Sequence, residues 1–589
     1  TTQETTQETT QETTQETTQE TTQETTQETT QETTQETSGI MEDENYQIPS
    51  MESVENSEVS EWYRDKTVFI TGGTGFMGKV LIEKLLRSCP VKKIIMLVRP
   101  KRGADVRQRV EHMFTYRLFD KLKANHPEFL EKVVPVKGDI TMENLGLSDE
   151  DEDRLAEEVQ IVFHAAATIN FQEPMRVAVS MNMLGTKRVV NLAKKMSKLE
   201  ALIHVSTAYG NCHLQETYEE LYPPPLDPSR LIQLTEWLDD NILENITPQL
   251  TQPRPNTYTF TKALAEHILV NDAGSRIPFS IIRPSIVCGA WREPEPGWVD
   301  NMFAFTGLLV GMGKGVLRSL YIKQGIKLDF IPVDVPINLM IVAAYNTAIK
   351  RFKTETPVPI YCCSTGYQKP LTIEGLNDCL METVRLIPQQ HPIWYPDGSA
   401  KTNKTLHTIH VFCANIVPAY IADFIMRLLG KKPIAVKLCN KMIKAVNALE
   451  YFMLRDWTFH NENVQGLWAS LPAADKQMFH FNVGDLDWAL YIDRYQRGCK
   501  KFILKEGTSP ADLEKAHKNM RKMLWIHRIF QLGLMYALWC LISSDLSISC
   551  LSTIFNVVVK LLSLSSFMEV TDDDDVSSTV QEIPEALGS

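Results

Sequence analysis

From residue 67 onward the chain alternates between two hydrophobic rhythms. Short runs of apolar, β-branched residues give way to stretches in which apolar positions recur every three or four residues. The first run is VFIT at 68–71, whose length and composition predict a strand. Glycines follow at once, and residues 79–86 then take up helical spacing. Further strands are predicted in KKIIMLVRPKRG, ending at Arg99, and in VVPVKGDI, ending at Asp139 and Ile140. Two more are predicted in VQIVFHAAATINF, where residues 164–167 turn away, and in ALIHVSTAYGN. Helical patterns lie between them, as at 181–196. Repeated strand–helix units imply an α/β, Rossmann-like doubly wound parallel sheet. Ligands of such a sheet bind at the carboxyl ends of its strands.

Beyond about residue 366 the rhythm becomes mostly helical and rich in Trp, Phe and Tyr. The stretch HVFCANIVPAYIADFIMRLLG at 410–430 is strongly apolar and carries Pro418. It fits core packing, or a surface that dips into a membrane. Two further apolar runs occupy 529–544 and 546–568. A bilayer span needs roughly 20 apolar residues, so the pair reads as one span or a re-entrant hairpin, with two core helices as the bland alternative. Lys515, Lys518, Arg521, Lys522 and Arg528 precede the runs, and Asp572 to Asp575 follow them. That asymmetry puts the folded part on the cytosolic side.

Composition trims this picture. The formal net charge is −13, but the first 36 residues are nine copies of Thr-Thr-Gln-Glu carrying nine of the acids, so the remainder nets −4. Such a balance is no nucleic-acid signature. The repeat has no apolar residue to bury and reads as disordered. Met41 opens a more ordinary acidic stretch and reads as the start of the protein, with the repeat as an extension. The eleven Cys show no Cys-x-x-Cys spacing, which fits reduced cytosolic thiols with no metal site.

Candidate chemistry sits at the predicted strand ends. In TGGTGFMG, Gly72, Gly75 and Gly78 recur every third residue between strand and helix. Glycines there let the backbone turn tightly and approach a pyrophosphate held at the helix N-terminus. The residue closing the second strand is Arg99, with Lys101 and Arg102 near it. An acid would suit the ribose hydroxyl of NAD, whereas a guanidinium suits the 2′-phosphate of NADP. Ser206 and Thr207 close the fifth strand, and Tyr258 and Lys262 follow, four apart on one helix face. An ammonium beside a phenol is expected to lower its pKa and tune it for proton transfer.

These segments resemble the extended short-chain dehydrogenase/reductases: TGGTGFMG, HAAATINF, VSTAYGN and YTFTK. IIRPSIVCGAWREPEPGWVDN, LDFIPVDVPIN and the aromatic-rich stretch from Trp457 to Leu504 narrow the resemblance. Together they are similar to the alcohol-forming fatty acyl-CoA reductases of eukaryotes. The likeness covers about residues 66–506. It implies NADPH as cofactor, held by Gly72, Thr74, Gly75, Phe76, Met77 and Gly78. Arg99 would meet the 2′-phosphate, Asp139 and Ile140 the adenine, and Pro284, Ile286 and Val287 the nicotinamide end. Tyr258 would be the acid, and Lys262 would tune it and bind the nicotinamide ribose. Thr207 would be the triad hydroxyl, Ser206 its alternative, and Asn182 would sit on the proton path. The implied reaction takes a fatty acyl-CoA through an enzyme-held aldehyde to a primary alcohol, with two NADPH consumed and CoA released.

The chain is expected to divide into a disordered leader at 1–60, a Rossmann catalytic domain at 61–365 and a helical domain at 366–525. A membrane anchor at 526–568 and an acidic tail at 569–589 complete it. Membrane lipid is an expected partner, at the endoplasmic reticulum or the peroxisome. A sterol or nucleotide-sugar dehydrogenase on the same fold is the alternative, and oligomeric state stays open.

Overall fold

The computed structural model describes residues 57–100, 105–274, 276–350 and 358–543. The Thr-Thr-Gln-Glu repeat, Met41, Lys101, Arg102, the apolar run at 546–568 and the acidic tail lie outside the described residues.

Seven strands form one parallel sheet: β1 (Thr67–Thr71), β2 (Lys93–Val98), β3 (Val133–Lys137), β4 (Ile161–His164), β5 (Ala201–Val205), β6 (Phe279–Pro284) and β7 (Ile360–Cys363). Their spatial order is β3-β2-β1-β4-β5-β6-β7, with every pairing parallel. The order reverses direction between β1 and β4, where Thr71 pairs with His164. That switch point is where an open α/β sheet leaves a crevice for a ligand. Both faces of the sheet are covered, β5 and β6 on one side by α4 (Asp334–Lys350), so its strands are apolar throughout rather than alternating. Val68 and Ile70 point into one core, and Phe69 between them into the other.

The first core continues far down the chain, from Val59 to Ile503. The C-terminal half therefore packs as part of the same hydrophobic interior. It is mostly helical, as its pattern predicts, with short strands at Leu371–Thr372, Ser399–Lys401 and Thr458–Phe459. Two glycines show how tightly the halves meet. A Cβ on Gly297 would collide with the Arg494 carbonyl, and one on Gly498 would collide with the Gly297 carbonyl. Only glycine lets two backbones approach so closely.

The apolar stretch around Pro418 is not core packing. Helix α5 (Lys404–Leu428) is, among the described residues, the one helix long and apolar enough to cross a membrane, and 17% of its apolar window is buried. Pro418 does not break it. The proline has no N–H for the carbonyl four residues back, and that carbonyl, on Ala414, accepts instead from Arg318 Nη1 at 3.1 Å. A wider π-turn at Phe412–Ile416 makes room. A partner helix, α6 (Ala435–Met453), packs against α5, its first amides donating to the buried Asp423 carboxylate of α5 at 2.8 and 3.1 Å. The last described helix, α7 (Pro510–Ser543), carries the first of the C-terminal apolar runs. That run is no core helix either, since Ile529, Leu532, Tyr536 and Trp539 are exposed.

Candidate active site

The glycine loop joins β1 to α1 (Phe76–Ser88), whose N-cap is Gly75. Gly72 has φ +75°, and a Cβ there would lie 2.7 Å from the Ala166 amide nitrogen at the end of β4. A Cβ on Gly78 would collide with the Gly72 carbonyl. Gly72 and Gly78 are thus required by close approach, a Cβ on Gly75 would crowd the Gly72 carbonyl at 3.1 Å, and the loop presents the unpaired N–H groups of a helix start. That cradle fits a dinucleotide pyrophosphate. Thr74 is half-exposed in the loop, and Met77 packs against the core. Phe76 stacks on Trp298 at 5.4 Å between centroids, and Lys79, one residue past the loop, pairs with Asp300. The Pro-Gly-Trp motif therefore clamps the start of α1.

Arg99 is exposed at the carboxyl end of β2. Its carbonyl accepts from the guanidinium of Arg109, and burial, with the charge of Arg99, draws the Arg109 pKa down. Two guanidiniums at one strand end form a site that fits a phosphate dianion. The sequence reading missed Arg109; the available signal was the second basic pair, Arg107 and Arg109, beyond Lys101 and Arg102. Asp139 turns onto its own loop, one carboxylate oxygen accepting from the Thr141 amide and hydroxyl at 2.9 and 2.8 Å. Ile140 is buried where it would touch a side chain at Gly185.

The proton-transfer candidates come together at the end of β5. Helix α3 (Thr257–Ala273) starts at an Asn256 cap whose side chain accepts from the Thr259 amide at 2.9 Å. Tyr258 is in its first turn and Lys262 one turn on. Thr207, just past β5, faces the Tyr258 phenol closely enough to act on its ionisation. Burial pushes the Tyr258 phenol up to about 12, with the Thr207 hydroxyl opposing. Burial pulls Lys262 down to about 8, against the pull of Glu266. The expected lowering of the phenol by the ammonium is therefore not found in this structure. The reason is geometric: Lys262 Nζ donates to the Val205 carbonyl at 2.7 Å, and both groups are desolvated.

Ser206 separates from Thr207. Its hydroxyl donates to Glu266 Oε1 at 2.6 Å, and Glu266 forms a buried two-bond pair with Arg283 at 2.9 and 2.7 Å. Thr207 is thus the hydroxyl that reaches Tyr258, and Ser206 braces β5 against α3 and β6. Asn182 lies in a π-turn, Val179–Leu184, that precedes α2 (Gly185–Lys195). Such turns recur at functional sites. The Asn182 side chain accepts from the Thr168 amide at 2.9 Å and donates to Thr261 Oγ1 at 3.0 Å, fixing α3 between Tyr258 and Lys262. Beneath them, burial lowers the pKa of His164, to about 3, and of His204, so the bed under Lys262 is uncharged.

Pro284 ends β6, and Ile286–Cys288 continues as a short strand beside Phe330–Pro332. Ile286 also lines an apolar pocket that opens to solvent, with about 950 Å³ of empty space when the solvent at its mouth is included, together with Tyr209, Phe305, Leu380, Phe452 and Trp457. Val287 is half-buried next to it. An aromatic row connects cavity and acid: Tyr258 stacks on Phe171 at 5.7 Å, and Phe171 meets Phe452 at 5.4 Å. Cavity, hydroxyl pair and glycine cradle thus adjoin at the carboxyl edge of one sheet.

Residues 70–340 match an NAD-binding family described as male sterility protein, and residues 414–506 match a second family of the same description. The chain is 40% identical to fatty acyl-CoA reductase 1 of Xenopus laevis over 482 residues, covering 82% of this chain and 92% of that protein. It is 38% identical to the Homo sapiens protein of that name over the same shares. Against fatty acyl-CoA reductase 2 of Mus musculus it is 39% identical, covering 82% and 93%. Among solved structures, the reductase domain of a nonribosomal peptide synthetase from Mycobacterium tuberculosis aligns with a TM-score of 0.50 at 18% identity. It covers 75% of this chain and 92% of that one, a likeness of fold.

Proposed function

The chain belongs to the fatty acyl-CoA reductase family, and on that premise we propose that it reduces long-chain fatty acyl-CoA to the primary alcohol with NADPH, releasing CoA. The observation that carries the reading is the Thr207–Tyr258 hydroxyl pair standing beside an apolar cavity. A carbonyl at the pair would leave its acyl chain in the cavity.

The cofactor supplies hydride for both reductions. In our reading Gly72, Gly75 and Gly78 hold its pyrophosphate, and Arg99 with Arg109 its 2′-phosphate. Thr207 and Tyr258 donate hydrogen bonds to the oxyanion that grows as the thioester carbon becomes tetrahedral. Departure of the CoA thiolate leaves an aldehyde, which the apolar wall retains. Tyr258 then gives its proton to the alkoxide of the second reduction. A phenol pushed up to about 12 is protonated at neutral pH, which supports its role as donor. Lys262, close to its own midpoint at about 8, is suited to pass a replacement proton. Asn182 positions α3 for this and touches none of the reacting atoms.

We further read 61–365 as the catalytic domain, 366–525 as the helical domain and 526–568 as a membrane anchor. The exposed apolar residues of α7 support the anchor, and the basic residues before it support a cytosolic catalytic face. The test is to incubate the full chain with NADPH and palmitoyl-CoA and to measure NADPH, free thiol and product. The expected result is alcohol, with twice as much NADPH consumed as thiol released. No NADPH oxidation with any acyl-CoA would reject the reading. A sterol or nucleotide sugar turned over in place of acyl-CoA would establish the alternative.

A further inference from the structure

Helices α5 and α6 form a hairpin whose outer side, among the described residues, meets no core. Phe424 is 61% exposed and Leu428 72%, and Tyr420, Ile421 and Ile425 on the same helix are exposed with them. A contiguous exposed apolar surface of this kind marks an interaction site. Its border is strongly charged in one sense. Residues 404–453 hold seven Lys and Arg against two acids; Asp423 is consumed inside the hairpin, accepting from the α6 amides, and Glu450 pairs with Lys404 at 2.8 Å. Arg427, Lys431, Lys432, Lys437 and Lys444 are exposed around the apolar face. Apolar residues ringed by lysines are the composition that seats in the headgroup region of an anionic bilayer.

Two connections extend the argument. First, α5 and α7 are tied side by side. Arg318 donates to the Ala414 carbonyl of α5 and bidentately to Asp397 at 2.8 Å. The same Asp397 faces His527 of α7 at 3.2 Å, and Trp394 donates to the other ring nitrogen of His527 at 3.0 Å. The exposed apolar residues of α7, Trp539 among them at 70%, follow within a few turns. Second, the base of the hairpin is cavity wall. Ser399 and Ala400 lead into α5, Leu449, Phe452 and Met453 close α6, and all five line the apolar cavity.

We propose that the α5–α6 hairpin and the apolar half of α7 seat together on an anionic phospholipid bilayer, and that the acyl chain enters the cavity from that bilayer at the base of the hairpin. The entry route rests on the acyl-CoA reductase reading above; the lipid docking does not.

The test uses the full chain with Cys413, Cys540 and Cys550 replaced by Ser and an environment-sensitive dye on Leu428→Cys. Vesicles of phosphatidylcholine with phosphatidylserine should shift the dye emission to the blue, and acyl-brominated lipid should quench most of it. Lys431→Gln with Lys432→Gln should raise the lipid concentration needed by about thirtyfold. A dye that stays in water in the presence of vesicles overturns the docking. A dye already shielded without vesicles identifies a protein–protein face and also overturns it. For the entry route, Phe424→Glu with Leu428→Glu should slow reduction of palmitoyl-CoA presented in vesicles about tenfold, by order of magnitude of the lost apolar contact. Octanoyl-CoA free in solution should be reduced at the unaltered rate. Equal effects on both substrates overturn the route. Inactivity of the parent chain toward both would reject the reductase reading and leave the dye measurement standing.

Discussion

Two adjacent hydroxyls at the end of β5 have opposite fates, and substitution separates them. Thr207→Ala removes the partner of the Tyr258 phenol and should lower kcat by about 10²- to 10³-fold, read from steady-state rates, with the melting temperature little changed. Ser206→Ala leaves Glu266 short of one donor and should instead cost about 1–3 kcal/mol of stability, read from denaturant unfolding, with kcat retained. Tyr258→Phe should abolish turnover while the chain still binds NADPH by fluorescence titration. The sequence could not divide Ser206 from Thr207. The residue that decides is Glu266, 60 positions along the chain, and local pattern carries no such partnership. The same distance hid the Arg318–Ala414 contact, 96 positions apart.

At the level of elements, the strands, the glycine turn and the start of α3 were legible because each is dictated locally. Period, glycine placement and the Asn256 cap all act within a few residues. Gly78→Ala tests the turn: its methyl collides with the Gly72 carbonyl, so NADPH affinity should fall at least about tenfold while circular dichroism stays that of the parent. The fate of α5 was not legible. A buried helix and one that faces lipid share length and composition, and what distinguishes them is whether neighbours cover the apolar face. Here they do not. The π-turn at Asn182 was equally hidden, since it follows from the packing of α2 on α3 rather than from the residues of the turn.

At the level of the molecule, both halves depend on one buried charge cluster. Lys84 Nζ donates to Glu293 at 2.6 and 2.7 Å and to the Met478 carbonyl at 2.6 Å. Arg87 joins Glu293 at 2.8 Å, and Asn338 bridges Glu293 to the His480 carbonyl. Burial alone would raise the Glu293 carboxyl, but Lys84 and Arg87 hold it at about 2. With a folded pKa below the ordinary 4.5, this group stabilises the fold fully above pH 4.5 and loses its contribution as pH falls toward 2. Glu293→Gln should flatten the stability profile across that window, by at most about 3 kcal/mol, measured by urea unfolding at stepped pH. Truncation after residue 365 should yield insoluble protein, because the core running from Val59 to Ile503 would be cut open.

The apolar cavity carries one last consequence, in the language of competing rates. In the proposed reaction, an aldehyde formed at Thr207 and Tyr258 either waits for the second reduction or escapes. Each methylene buried against Phe305, Leu380 and Trp457 adds about 0.8 kcal/mol to the escape barrier. The enzyme should therefore be processive on long chains and leaky on short ones, with aldehyde appearing in solution as the substrate is shortened. A trapping hydrazine added during turnover would count it.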